Sequence, residues 1–227
     1  MEQERILSSG KTDNGVTLEA VLERFEEADP PEDPGKPEKR RGDHNLNPGT
    51  YPEDRAALTP AAVLVPLINR TDGLTVLLTE RTEHLATHAG QVSFPGGHTE
   101  QGETPEQTAL RETDEEVGLA PDKVTVLGRL DHYVTRTGFM VTPVVGLIEP
   151  PFDVHPDPHE VAEVFEVPLD FFLDPDNHEQ HSYFYQGKDR YFYAMPYEGH
   201  YIWGATAGML VNLYQFLSGH KIEVPSR

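Results

Sequence analysis

The chain has 227 residues, 39 acids against 18 Lys and Arg, a formal net charge of -21 and no cysteine. That length suits one domain, or one domain with a tail, and is enough to bury a sizeable core. The missing cysteine excludes disulfides, cysteine–zinc sites and thiol nucleophiles; the charge opposes broad contact with nucleic-acid phosphates; and no apolar run approaches the ~20 residues of a membrane helix.

In chain order, Met1–Arg5 carries acid where a secretory leader needs base, so the expected compartment is the cytoplasm. Thr17–Ala28 has Leu18, Val21, Leu22 and Phe25 at helical spacing. Asp29–Pro52 is rich in Pro, Gly and charge, the composition of a linker or a surface loop, and Lys39-Arg40-Arg41 reads as a solvated basic patch. Residues 1–57 are therefore expected to be an acidic, Pro-rich extension with one short helix, dispensable for chemistry. Residues 58–220 form the expected domain, and 221–227 a C-terminal tail.

Within the domain, Ala61–Ile68 and Leu74–Thr79 read as strands around a Thr71-Asp72-Gly73 turn. Pro105–Val117 reads as a helix, Val124–Leu130 and Phe139–Ile148 as strands, and Val161–Val167 as a short apolar segment. Ser182–Tyr185 and Tyr191–Ala194 flank a hairpin turn at Gln186–Asp189, and Gly204–Leu217 closes with a helix. Mixed strands with two substantial helices indicate an α/β or α+β layered domain.

The chemistry-bearing stretch is Phe94–Leu119. Thr104 and Gln107 form a capping box with Pro105 at the first helical position. Glu112, Glu115 and Glu116 share one helix face, and Leu110, Thr113 and Val117 the opposite one. Three like charges at that spacing cost about 0.2–0.5 kcal/mol per pair. A hard divalent cation reverses that sign, because carboxylate oxygens are the ligands Mg²⁺ prefers. Ahead of the helix, Gly96-Gly97 reads as a turn whose backbone can approach a metal or phosphate.

The spacing Gly97-x5-Glu103-x7-Arg111-Glu112-Thr113-x-Glu115-Glu116-x-Gly118-Leu119 resembles the Nudix box, with Thr113 standing where a bulky apolar residue is usual. The resemblance implies an α/β/α sandwich around a mixed β-sheet and hydrolysis of a nucleoside diphosphate linked to another moiety. A second stretch is similar to the signature of the Nudix coenzyme A diphosphatases. It runs Leu77-Leu78-Thr79-Glu80-Arg81-Thr82, then Gly90, then Phe94-Pro95-Gly96-Gly97. Thr82 replaces Ser or Ala there, and Ala86 stands where that family has Arg. Val141–Gly146, Glu160-Val161 with Phe165 and Pro168-Leu169, and Trp203-Gly204-x-Thr206-Ala207 carry the same resemblance, which spans about Ala61 to Leu217.

By that resemblance, Glu112 and Glu116 are the leading pair for Mg²⁺ or Mn²⁺. Glu115 follows, as a further ligand or as the base that activates water. Gly96 or Gly97 adds a backbone contact to metal or substrate, and Glu103 with Arg111 braces the loop and helix. Arg81 is the leading phosphate contact. Glu160 stands ahead of Glu163 as a general base, and Arg129 or Arg136 is available to replace the cation missing at Ala86. His155 and His159 belong to a loop, because Pro156 and Pro158 forbid a helix. His84 and His88 read as surface residues, and Trp203 as core. The expected substrate is coenzyme A or a derivative, yielding 3′,5′-ADP and 4′-phosphopantetheine or its acyl form. ADP-ribose or NADH, and a non-catalytic ligand sensor, are the alternatives. A small nucleotide is the expected partner, with a homodimer left open and neither nucleic acid nor membrane involved.

Overall fold

The computed structural model describes residues 11–12, 15–28, 41–50, 58–84 and 89–220. The strands are β1 (Lys11–Thr12), β2 (Gly15–Val16), β3 (Arg41–Gly42), β4 (Thr59–Arg70), β5 (Gly73–Arg81), β6 (Val92–Ser93), β7 (Gly96–His98), β8 (Val124–Arg129), β9 (Tyr133–Val134), β10 (Phe139–Ile148), β11 (Val161–Pro168), β12 (Glu179–Tyr185), β13 (Lys188–Tyr197) and β14 (His200–Trp203). The α-helices are α1 (Leu18–Glu27), α2 (Pro105–Val117), α3 (Leu169–Leu173) and α4 (Ala205–Ser218).

The main sheet runs β11-β5-β4-β10-β9-β3, with β6 on β5, β7 on β4 and β8 on β10. β10 lies parallel to β4 and β3 parallel to β9, while the other pairs are antiparallel. Alternation along the strands sorts the core into two layers. Ala62 and Leu64 of β4 and Val144 of β10 pack against Ala109 of α2. Val65 and Leu67, one residue out of phase with them, join Val145, Leu210 and Leu213 on the side of α4. The mixed sheet is therefore sandwiched between α2 and α4, the α/β/α arrangement expected.

A second sheet, β12-β13-β14, stands beside the first. The β12–β13 loop is tighter than expected. Tyr185 pairs with Lys188, leaving Gln186 and Gly187 as a two-residue turn, both at positive φ, as the mirror-image hairpin turns require.

The N-terminal segment does not stand apart. α1 forms where its spacing placed it, capped by Thr17, and buries Val21 completely. Its Phe25 meets the Phe216 ring at 4.5 Å, and Arg24 Nε donates to Phe216 O at 2.7 Å. Asp43 accepts from the Tyr133 hydroxyl and from the Arg136 backbone N–H, both at 2.8 Å. Asn47 donates to Tyr191 O and accepts from Tyr191 N–H at 2.8 and 2.9 Å. Residues 15–28 and 41–50 thus belong to the packed body. Apolar spacing in α1 and single polar side chains in 41–50 tie these residues down despite the linker-like composition around them. Lys39, Arg40, Ala86 and His88 lie outside the described residues.

Candidate active site

The local chemistry of the box segment is built by the helix start and by a short strand. Thr104 Oγ1 accepts from Gln107 N–H and Gln107 Oε1 accepts from Thr104 N–H, at 3.3 and 2.8 Å. Gly118 ends α2 in the left-handed conformation at φ 67°, its N–H donating to Asp114 O at 2.9 Å. Thr113 is fully buried, and its hydroxyl donates to Ala109 O at 2.6 Å. The backbone satisfies the one polar group that the departure from an apolar residue brings in.

Gly96-Gly97 is not a turn. Both residues lie in β7, where Gly97 pairs with Ala62 and Gly96 with Val63. A Cβ on Gly97 would meet the Glu112 carboxylate, and one on Gly96 would meet Ala62 O. The two glycines therefore let α2 bring its carboxylates directly against the strand backbone.

The three box carboxylates lie in different surroundings. Glu115 is 61% exposed, whereas the Glu116 side chain is only 7% exposed. Burial pushes the Glu116 carboxyl up to about 7, against the Gly96 N–H that donates to its Oε2 at 3.1 Å and favours the charged form. Its cationic neighbour, Arg81, approaches Oε1 only to 3.5 Å. A buried carboxylate so weakly compensated fits a site for a divalent cation, with Glu112 and Glu115 beside it.

Arg111 and Glu103 form the brace expected of them. Arg111 Nε donates to Glu103 Oε1 at 2.8 Å and Nη2 to Oε2 at 3.1 Å. Glu103 Oε2 also accepts from Thr108 Oγ1 and Glu100 N–H. The Arg111 hydrogen bond, followed by that of Glu100, holds the Glu103 carboxyl down at about 2. Arg111 reaches Glu112 at 2.8 Å, Glu115 at 3.1 Å and the His98 carbonyl at 3.1 Å, so it ties β7 to α2.

The chain segment after β10 returns to the box. His155 N–H donates to Val117 O and Asp157 N–H to Glu116 O, at 2.7 and 2.9 Å, capping α2. His155 and His159 are loop residues, as expected. Thr82, one of the two departures from the coenzyme A type of signature, anchors this loop: its N–H donates to Glu160 O and its hydroxyl to His159 O, both at 3.0 Å. Glu160 comes within 3.9 Å of Arg81, half-exposed at the rim. Arg81 thus lies between Glu116 and Glu160.

Glu163 does not join them. It pairs across the ladder with Glu80, and consecutive residues Glu80 and Arg81 point to opposite faces. Its Oε2 lies 3.3 Å from His200 Nε2, in a group of Glu80, Glu163 and His200 on the far face from Glu116. Arg129 is likewise unavailable, because its Nη2 donates to Glu106 Oε2 at 2.7 Å and its Nε to Oε1.

A cavity of about 430 Å³ opens beside the box, and its lining includes Arg81, Gly96, Asn47, Arg136, Arg190 and Trp203. Trp203 is half-buried in this wall with its ring 5.3 Å from Phe192, which corrects its expected place in the core. Sequence reasoning missed Asn47, Arg190 and Tyr183. No short-range spacing links these residues to the box. The aromatic-rich β12–β13 hairpin was the one signal available.

Among the described residues, no helix is long and apolar enough to cross a membrane. A NUDIX domain model matches residues 58–187, more than half of the chain. A protein of Photorhabdus laumondii named uncharacterized Nudix hydrolase NudL is 37% identical over 201 residues, covering 88% of this chain and 97% of that protein. One of the same name from Escherichia fergusonii is 41% identical over 155 residues, covering 67% of this chain and 80% of the other. Among solved structures, the Nudix hydrolase RenU of M. smegmatis aligns at 27% identity with a TM-score of 0.44, over 49% of this chain and 71% of that one.

Proposed function

The chain belongs to the Nudix hydrolase family, and from that premise we propose that its substrate is coenzyme A or an acyl derivative, cleaved in the cytoplasm to 3′,5′-ADP and 4′-phosphopantetheine or its acyl form. As a Nudix hydrolase it acts on a nucleoside diphosphate derivative, so the sensor alternative is set aside. The observation that carries the narrower reading is the run from Leu77 to Gly97. It has the coenzyme A type of signature, and its Arg81 extends from β5 to Glu116 of the box.

Glu112, Glu115 and Glu116 are the proposed holders of Mg²⁺ or Mn²⁺, which when bound screens the diphosphate and favours ionised water. The proposed division of labour for the remaining residues follows from their positions. Arg81 directs its guanidinium at a phosphate oxygen. Glu160, at the rim beside it, accepts the proton of the attacking water. The water oxygen forms a bond to one phosphorus, the bond from that phosphorus to the bridging oxygen breaks, and the electron pair leaves with the departing phosphate. Gly96 and Gly97 admit the substrate close to the backbone, and Glu103 with Arg111 keeps the box carboxylates aligned.

Product analysis after incubation with coenzyme A, an acyl-CoA, ADP-ribose and NADH in Mg²⁺ tests the proposal. The expected result is 3′,5′-ADP from the first two at the highest kcat/KM. A higher kcat/KM on ADP-ribose or NADH would overturn the coenzyme A assignment.

A further inference from the structure

The cavity beside the box is lined by two further arginines, Arg136 and Arg190. Arg190 on β13 pairs across the hairpin with Tyr183 of β12. Tyr185 lies two residues on, hence on the same face as Tyr183, and the Arg136 guanidinium sits 4.7 Å from its ring centroid. The Tyr183 and Tyr185 rings lie 6.3 Å apart, and Arg136 and Arg190 both line the cavity that Arg81 and Gly96 also line.

Arg190 Nε is buried with no hydrogen-bond partner among the described residues, and neither guanidinium joins an ion pair among them. Three other arginines are paired with glutamates: Arg70 with Glu166, Arg111 with Glu103, Arg129 with Glu106. With 39 acids against 18 bases, carboxylates are not scarce. The carboxylate in the cavity itself, Asp43, is held by the Tyr133 hydroxyl and by the Arg136 backbone, so it sets the position of Arg136. Aromatic rings line the same cavity: Tyr183 lies 5.9 Å from Phe192, and Phe192 5.3 Å from Trp203. Such surfaces take a planar base by stacking. Paired guanidinium forks match a phosphate.

We propose that Arg136 and Arg190 form a second anion subsite, for a phosphate monoester on the ribose of the substrate nucleotide, with its base on the Phe192–Trp203 wall. This rests on the reading of the box as the site of diphosphate cleavage. Two nucleotides present that chemistry: a 3′-phosphate, as in coenzyme A, or a 2′-phosphate, as in NADPH.

Calorimetric binding to the full chain tests the subsite without relying on turnover. The probes are 3′,5′-ADP, 2′,5′-ADP and 5′-AMP, with wild type, Arg190→Gln and Arg136→Gln. One bisphosphate is expected to bind wild type about 10-fold or more tighter than 5′-AMP, and which one identifies the source. Arg190→Gln should remove most of that advantage and leave 5′-AMP within about 2-fold, with Arg190→Lys restoring part of it. Equal affinity for all three probes in wild type overturns the subsite, as does an equal loss for all three in the variants. Should Arg190→Gln not fold, the wild-type comparison and Arg136→Gln decide alone. Selective binding of 3′,5′-ADP without cleavage of coenzyme A would sink the substrate proposal and leave the subsite standing. Cleavage of coenzyme A without selective binding would do the reverse.

Discussion

The box and the cavity wall draw on the chain over very different lengths. From Gly96 to Leu119 one strand, one turn and one helix carry the brace, the glycines and the three carboxylates, so spacing alone places them together. The wall takes Asn47, Arg136, Arg190 and Trp203 from four separated segments, joined by pairings such as that of Asn47 with Tyr191. A site within one helix advertises its chemistry in its periodicity. A site assembled across loops does so only once the fold is known.

The largest effect is expected at the box. Glu116→Gln should lower kcat about 10²–10⁴-fold, and chelator should abolish turnover until Mg²⁺ or Mn²⁺ is restored. Steady-state kinetics and a thermal melt check this together. The melt should show an intact fold, because the glutamine oxygen can still accept from Gly96 N–H and the buried charge is gone. Unchanged turnover would break the assignment of chemistry to the box.

Removal of residues 1–57 sharpens the comparison from the other side. Exposing the surface that Val21 and Phe25 cover forfeits about 1.5–3 kcal/mol per buried apolar side chain. The truncated chain is therefore expected to precipitate, or to melt roughly 10 °C or more below the full chain. A soluble truncation with undiminished kcat/KM would show that residues 41–50 are no part of the wall.

A smaller, pH-dependent effect belongs to the brace. Folding depresses the Glu103 carboxyl from 4.5 to about 2. Its contribution to stability is present above the unfolded value and is lost as pH falls through the folded one. Glu103→Gln should thus melt below wild type at neutral pH, and the gap should close between about pH 4.5 and 2. Melts across that range check the sign; a gap that widened in acid would contradict the brace.

Much of the fold was legible because it follows short-range rules. Thr104, Pro105 and Gln107 predicted the start of α2, and short apolar runs, two of them flanking the Thr71-Asp72-Gly73 turn, predicted β4, β5 and β10 within a few residues of their ends. Gly96-Gly97 misled, because glycine signals a turn in sequence but here allows a close approach of helix to strand. Composition is likewise a poor guide to the packing of the N-terminal segment. Proline and charge dominate its composition, whereas Val21, Phe25, Asp43 and Asn47 decide where it packs. Glu163 could be separated from Glu160 only by the ladder register, which turns its side chain toward Glu80 and His200.

The central claim is that the box supplies the chemistry and the remote wall supplies recognition. The most direct measurement is the split between kcat and KM, on coenzyme A, for Glu116→Gln and Asn47→Ala. Glu116→Gln should lose kcat with KM changed less than about 3-fold, as for a group that acts chiefly in the transition state. Asn47→Ala, which releases the Tyr191 backbone at the wall, should raise KM about 5-fold with kcat held within about 2-fold. If Asn47→Ala instead lowers kcat at constant KM, or Glu116→Gln acts through KM alone, the division between the two regions is contradicted.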